Sequence, residues 1–128
     1  MKFISTDKAP AAIGPYSQAV TGSNGKWLFL SGQIAVDPIT GQMVQETVDA
    51  EVSRVLKNLD AVLTAAGFTR QDVVKVTVYL TDMALFAQAN EVYEAFFNGH
   101  RPARATVAVT SLPKQARIEI DAIAIKNF

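Results

Sequence analysis

The sequence has 128 residues, no cysteine and one histidine, and its 12 basic and 12 acidic side chains give a formal net charge of zero. The lack of cysteine excludes thiol chemistry and cysteine–zinc sites and is typical of a reducing compartment, and one histidine cannot build a histidine-rich metal site. The zero net charge argues against nucleic acid as the default partner, because phosphate binding needs a basic surplus. No segment approaches the roughly 20 apolar residues of a membrane helix, and the N-terminus turns polar too early for a signal peptide. We therefore expect one cytoplasmic domain over residues 1–128.

The first half of the chain predicts a loop, a strand and a long helix. Residues 9–25 are rich in Gly, Pro, Ala and Ser and predict a loop with a short strand, whereas the apolar run at 27–31 predicts a buried strand. Turn-forming residues stand at 37–41. From Thr47 onward, apolar residues recur at three- and four-residue steps, which predicts an amphipathic helix that ends at Gly67.

The second half predicts a strand, a helix and two further strands. Residues 74–80 alternate between apolar and polar side chains, which is typical of a strand. Residues 81–82 offer an N-cap for a second amphipathic helix, which ends at residues 98–99. The last two strands are expected near 104–110 and 117–125.

This order of elements predicts an α+β domain with both helices on one face of a sheet, because two amphipathic helices can cover only one face. The other face must meet water or another subunit. In the last strand, Ile118 and Ile120 point one way, and Glu119, Asp121 and Ile123 point the other, so both faces carry apolar side chains. We predict that the second face is buried by oligomerisation; coverage by the N-terminal loop is the alternative.

A pair of opposite charges near the C-terminus is the first candidate site. If the last two strands form a simple antiparallel hairpin, Thr106 falls opposite Glu119, and Arg104 lies on the same face. Arginine can grip a substrate carboxylate with two parallel hydrogen bonds, and a glutamate nearby can hold a water or move a proton. The alternative is an ion pair that only locks the sheet or a subunit contact. The spacing alone favours that alternative, since structural ion pairs outnumber active sites.

Other polar residues are candidates with plain structural alternatives. Tyr16 follows a rigid turn and can donate a hydrogen bond to a substrate, or it can simply be packed. Ser31 and Gly32, at a strand end, can present backbone groups to a ligand or form a bulge. Asn90 lies beside the apolar stripe of the second helix and can reach a ligand or a neighbouring loop. His100 is expected in a solvated loop, and no serine is placed to form a catalytic triad with it.

Several short motifs occur in a definite order along nearly the whole chain, and together they carry a resemblance. No single motif is decisive, but their joint order in a chain of this length is specific. The sequence resembles the RidA branch of the Rid/YjgF family. The motifs are APAAIGPYSQA at 9–19, SGQI at 31–34, NEVY with FF at 90–97, RPAR at 101–104, LP at 112–113 and IEI at 118–120.

The resemblance implies a chorismate-mutase-like fold with a mixed sheet, and a homotrimer whose active sites lie in the clefts between subunits. It also implies hydrolysis of reactive enamines and imines, such as 2-aminoacrylate and 2-aminocrotonate, that pyridoxal-phosphate dehydratases release. The products are 2-keto acids and ammonia. No cofactor and no metal are implied for the deaminase itself.

The resemblance also assigns roles to individual residues. Arg104 matches the family's carboxylate-binding arginine, and Glu119 matches the glutamate that positions the attacking water. Tyr16 matches the active-site tyrosine, while Ser31 and Asn90 match further pocket positions.

This chain departs from the family pattern beside the arginine. Thr106 stands where many relatives have cysteine, which puts thiol-based regulation in doubt but leaves a hydroxyl that can touch a ligand. Ala105 replaces a common serine. Ala108 and Ser111 replace a frequent glutamate and arginine, which can alter the trimer interior or rim.

Two other functions compete with the deaminase. A trimer with clefts can act as a non-catalytic regulator that senses a small ligand, or as a chaperone-like protein. An RNA-directed translation inhibitor is the second alternative, although the zero net charge and the lone histidine weigh against it.

Overall fold

The computed structural model describes residues 1–126 and shows an α+β domain with a mixed sheet and two helices. The elements, in chain order, are β1 (Lys2–Ile4), β2 (Ala19–Gly22), β3 (Trp27–Gln33), α1 (Val48–Ala65), β4 (Val73–Leu80), α2 (Phe86–Phe97), β5 (Ala103–Ala108) and β6 (Ile118–Ile125). The predicted helices and strands are confirmed within a few residues of their bounds. The sequence patterns missed β1, which is three residues long and pairs with β2.

Local chemistry sets the ends of both helices. The Thr47 side chain accepts a hydrogen bond from the Ala50 amide at 3.0 Å and so caps α1. Gly67 follows this helix with φ +83°, a left-handed conformation that glycine adopts without strain. The second helix ends at Asn98, which is also left-handed. Asp82 caps a short 3-10 turn, residues 83–85, that leads into α2, so the predicted cap acts one turn early.

The six strands form one sheet in the order β1-β2-β3-β6-β4-β5. The pair β4–β5 is parallel because α2 carries the chain back across the sheet, whereas β6 lies antiparallel between β3 and β4. The predicted hairpin between the last two strands is therefore wrong, since β4 separates them. Residues 109–117 are long enough to take the chain around the end of β4 to its far side.

A buried carboxylate anchors the start of β6. Glu51 of α1 is fully buried and accepts hydrogen bonds from the backbone amide of Arg117 at 2.8 Å and from its Nε at 2.6 Å. The guanidinium also reaches the carbonyl oxygen of Gln45 at 3.1 Å. A buried charge needs such pairing, and here the pairing ties the helix to the central strand.

Both helices pack against the same face of the sheet, as predicted. The core is formed by alternate residues of the central strands against the apolar stripes of α1 and α2; its largest fully buried side chains include Leu28, Leu56, Leu59, Leu63, Leu80, Phe97 and Ile120. The opposite face is partly exposed and apolar at one end, where the Trp27 and Phe29 rings stack with centroids 5.9 Å apart and are 39% and 45% exposed. Phe3 continues this face through the register and is 66% exposed.

Candidate active site

Arg104 lies on β5 with its side chain directed to the helix-covered face of the sheet. Its register partner is Val76, a core residue. The guanidinium Nη1 donates a hydrogen bond to Asn90 Oδ1 at 2.7 Å, and Cζ lies over the Tyr93 ring, 4.7 Å from its centroid. The predicted pocket residues Arg104 and Asn90 are thus in direct contact. The arginine stays exposed, so it can still bind an anion.

Thr106 follows two residues later on the same face of β5, opposite Val78. Its Oγ1 is buried and has no hydrogen-bond partner within residues 1–126. We call Arg104, Asn90, Tyr93 and Thr106 the arginine half-site.

Glu119 lies on the other face of the sheet. Its register partner on β4 is Tyr79, and Gly32 of β3 approaches it so closely that a Cβ at position 32 would overlap the carboxylate. Gly32 and Glu119, together with Tyr16 and Ser31, line an open pocket of about 550 Å³. We call Tyr16, Ser31, Gly32 and Glu119 the glutamate half-site.

The two half-sites therefore lie on opposite faces of one sheet. The prediction that Arg104, Thr106 and Glu119 share a face is wrong for a single chain. The side chains of each strand alternate between the two faces as predicted. The prediction fails because β5 and β6 do not pair directly, and β4 between them sets which of their residues lie level. Thr106, Val78 and Ile120 are consecutive partners across the three strands, and this row places Thr106 level with Ile120 rather than with Glu119.

The surroundings of Glu119 favour the protonated form of its carboxyl group. Partial burial raises the pKa of the Glu119 carboxyl, and the negative charge of Asp121 on the same face raises it further. Asp121 is held by the Tyr79 hydroxyl, which donates a hydrogen bond to Oδ2 at 2.9 Å. The same contact and burial raise the pKa of Tyr79. Carboxyl groups with raised pKa values are common among general acids and bases.

The raised pKa of Glu119 predicts a gain of stability when this residue becomes glutamine. An acid whose pKa is raised on folding stabilises the fold most below its ordinary pKa of 4.5, and that contribution is lost as pH rises through the folded value. We expect Glu119→Gln to raise Tm near pH 7.5, with little effect near pH 4, in thermal unfolding followed by circular dichroism. Glu46→Gln, at an exposed position, is the control. An equal shift at both pH values would contradict the raised pKa.

The loop that carries Tyr16 is anchored at both ends. The Ser31 hydroxyl donates a hydrogen bond to the Ser17 carbonyl at 2.5 Å, so Ser31 supports the loop in addition to lining the pocket. The Gln18 side chain is 3% exposed; it accepts from the Thr6 amide at 2.7 Å and donates to the Pro10 carbonyl at 2.7 Å. Sequence reasoning missed Gln18, because its role depends on contacts across the loop rather than on any spacing pattern.

Sequence reasoning also placed two residues differently from the structure. Tyr93 falls within the apolar stripe of α2, but its ring also lies under Arg104. His100 was expected in solvent, whereas its Nε2 lies 2.7 Å from the Val73 carbonyl oxygen and helps to tie the end of α2 to β4. The position of Tyr93 in the apolar stripe did not indicate that its ring contacts Arg104.

Among residues 1–126, no three His, Cys, Asp or Glu side chains come close enough together to hold a metal ion. In the same part of the chain, no helix combines the length and the apolarity that crossing a bilayer requires.

A family model described as Endoribonuclease L-PSP, which represents the Rid/YjgF proteins, matches residues 6–126. This chain belongs to the Rid/YjgF family. The resemblance inferred from the sequence motifs is thereby confirmed.

Named Rid relatives cover almost the whole chain. A Mus musculus protein named 2-iminobutanoate/2-iminopropanoate deaminase is 50% identical over 98% of this chain and 92% of its own length. Protein DfrA of Myxococcus xanthus is 55% identical over 97% of this chain and 95% of its own length. In a crystal structure, E. coli TdcF with bound serine superimposes with a TM-score of 0.93 at 43% identity and covers 99% of this chain and 100% of its own. Rid proteins of this fold thus include named imine deaminases and one that binds an amino acid.

Proposed function

We propose that this Rid protein is a 2-iminobutanoate/2-iminopropanoate deaminase. It hydrolyses reactive imino acids, formed from enamines such as 2-aminocrotonate and 2-aminoacrylate, to 2-keto acids and ammonia. The observation that carries the proposal is the presence of two complementary half-sites: an exposed guanidinium suited to a carboxylate, and a carboxyl group with a raised pKa in an open pocket. The names of the mammalian relatives support the same activity.

We further propose that the working site is composite and lies between protomers of a homotrimer with a chorismate-mutase-like fold. Within one chain, the sheet separates Arg104 from Glu119, so one substrate cannot touch both side chains there. A neighbouring protomer that presents its glutamate half-site to this chain's arginine half-site removes that obstacle. The partly exposed apolar face that contains Trp27 and Phe29 is consistent with association.

The reaction begins with binding and orientation. The enamine tautomerises to the imine, whose C2 carbon is electrophilic. Arg104 holds the substrate carboxylate through two parallel hydrogen bonds and so fixes the position of C2. Asn90 holds the guanidinium in place through its side-chain oxygen.

Hydrolysis then needs one water and two proton transfers. Glu119 accepts a proton from the attacking water as its oxygen adds to C2 and passes this proton to the imine nitrogen, which gives a carbinolamine. Glu119 then takes the proton of the carbinolamine hydroxyl and delivers it to the amino nitrogen, so that the C–N bond breaks, the C2–O bond becomes the keto group and ammonia leaves. Tyr16 donates a hydrogen bond to the substrate, and Gly32 leaves the space that the Glu119 carboxylate occupies. The raised pKa of Glu119 brings it closer to working pH, which favours both proton transfers. These side chains and a water suffice, so no cofactor enters the reaction.

The proposal is tested by coupling a threonine dehydratase to the protein and following 2-ketobutyrate by absorbance. We expect keto acid to form faster than in the dehydratase reaction alone. Because the intermediate also hydrolyses spontaneously, dehydratase is kept in excess and the acceleration must scale with the amount of Rid protein.

The competing functions predict other results in the same preparation. A ligand-sensing regulator binds 2-ketobutyrate without accelerating its formation, and this outcome would reject the deaminase for this substrate. An RNA-directed protein binds RNA with strong salt dependence. Neither a regulatory role nor RNA binding is needed to account for the arginine half-site. The net charge of zero also provides no general electrostatic attraction for RNA.

We expect Gly32→Ala to lower kcat/KM roughly tenfold, because the added Cβ displaces the Glu119 carboxylate from its working position. The effect arises from lack of space and not from an unusual backbone angle. Gly22→Ala is the matched control, since a Cβ there meets the Phe29 ring at an ordinary 3.7 Å. Full activity in Gly32→Ala would show that the position of Glu119 is not critical.

A further inference from the structure

A small cavity lies next to the arginine half-site, between α2 and the strands β4, β5 and β6. Its volume is about 10 Å³, which is the space that one water-sized group needs. Its walls are mostly core side chains, including Val78, Ile118 and Ile120, while Arg104 and Asn90 stand at its edge. A ligand whose carboxylate is held by Arg104 therefore has this cavity immediately beside it.

Two hydroxyl groups belong to this cavity and have no hydrogen-bond partner within residues 1–126. They are the Tyr93 hydroxyl and Thr106 Oγ1, and both oxygens are buried. Tyr93 as a whole is only 8% exposed. The Arg104 guanidinium lies over the Tyr93 ring and opposes the effect of burial on the pKa of the Tyr93 hydroxyl. Burial raises the pKa of Tyr93, so its hydroxyl stays neutral and able to donate.

Buried hydroxyl groups without partners discriminate strongly between ligands. A ligand hydroxyl can donate to one oxygen and accept from the other, which satisfies both. A methyl group of the same size leaves both unsatisfied after displacing any water, and this loss lowers its affinity. A site built to hydrogen-bond a hydroxyl consequently rejects the isostere that lacks one.

We propose that Tyr93 and Thr106 form a hydrogen-bonding subsite that favours 2-keto and 2-imino acids with a hydroxyl group on C3 over those with a methyl group there. The inference rests on the proposed function only in that Arg104 holds the ligand carboxylate. From there, the group on C3 is the part of a short ligand that reaches the cavity. Thr106 is two residues from Arg104 on the same face of β5, and Tyr93 is one helical turn from Asn90 on α2, so all four side chains converge.

The test compares two ligands of equal shape by titration calorimetry on the assembled protein. One is 3-hydroxypyruvate and the other is 2-ketobutyrate, which differ by a hydroxyl in place of a methyl group. We expect 3-hydroxypyruvate to bind roughly tenfold more tightly. Thr106→Val and Tyr93→Phe each keep the shape and remove one hydroxyl, and each should reduce the preference severalfold while the affinity for 2-ketobutyrate holds or rises.

A matched variant and a fold check make the result decisive. Tyr79→Phe also removes a tyrosine hydroxyl, but on the opposite face of the sheet, and should leave the preference unchanged. Circular dichroism checks that each variant is folded. If Tyr93→Phe fails to fold, the preference is tested with Thr106→Val, which lies on the edge strand. Equal affinity for the two ligands, or a preference that survives both variants, overturns the subsite and leaves the deaminase untouched. A preference that depends on these hydroxyls, in a protein that does not accelerate keto-acid release, supports the subsite and rejects the deaminase.

Discussion

The Arg104→Ala variant should lose about a hundredfold to a thousandfold in kcat/KM for imine hydrolysis, measured in the coupled dehydratase assay. In the proposed mechanism the guanidinium supplies two parallel, charge-assisted hydrogen bonds to the substrate carboxylate, and these place C2 for attack. Without these hydrogen bonds, the substrate C2 is not held in position for attack by the water at Glu119. The loss should fall on both KM and kcat, because the same contact binds the substrate and orients it.

Two matched variants separate this role from charge or stability alone. Arg104→Lys keeps the positive charge but loses the planar fork, so it should recover only part of the activity. Arg101→Ala removes an exposed arginine three residues away and should leave kcat/KM near that of the parent protein. If Arg104→Ala binds and hydrolyses imines normally, the assignment of the carboxylate site is wrong.

Mixing two inactive variants should restore activity if the site is shared between protomers. Arg104→Ala supplies intact glutamate half-sites, and Glu119→Gln supplies intact arginine half-sites. After joint unfolding and refolding at equal amounts, random assembly into closed rings gives both intact halves at about a quarter of the interfaces. We therefore expect about a quarter of the parent activity from a mixture of two proteins that are each nearly inactive.

The complementation has an internal control in the double variant Arg104→Ala/Glu119→Gln. Mixed with parent protein, it should abolish activity at every interface that it touches, whereas it can rescue neither single variant. A refolded mixture that stays inactive, although each variant assembles normally, would contradict the shared site. Either both half-sites then act within one protomer, or the role proposed for Arg104 or for Glu119 is wrong.

Much of the fold follows from local patterns in the sequence. The three- and four-residue spacing that begins at Thr47 and the stop at Gly67 predicted α1, and the alternation in 74–80 predicted β4. These signals are local, because helix periodicity, caps and strand alternation involve residues within a few positions of one another. The faces of individual strands were predicted for the same reason.

Strand order could not be predicted in the same way. No local pattern in the residues of β6 indicates that this strand pairs with β4 and β3 rather than with β5, which precedes it in the chain. The deciding contacts are distant in sequence, such as the one between Glu51 and Arg117. One wrong pairing was enough to place Arg104 and Glu119 on a common face. The proposed residue roles came instead from the resemblance of the sequence motifs to those of the family.

If the working site is shared between protomers as proposed, the opposite orientation of the two half-sites links the number of working sites to the way protomers connect. Each protomer presents the arginine half-site on one face of its sheet and the glutamate half-site on the other, so it can complete one site with each of two neighbours. A separate protomer then has no complete site, an open row has one fewer site than it has members, and a closed ring has as many sites as members. Under the proposed composite site, ring closure therefore adds catalytic capacity without any new residue, and dissociation into single chains removes it.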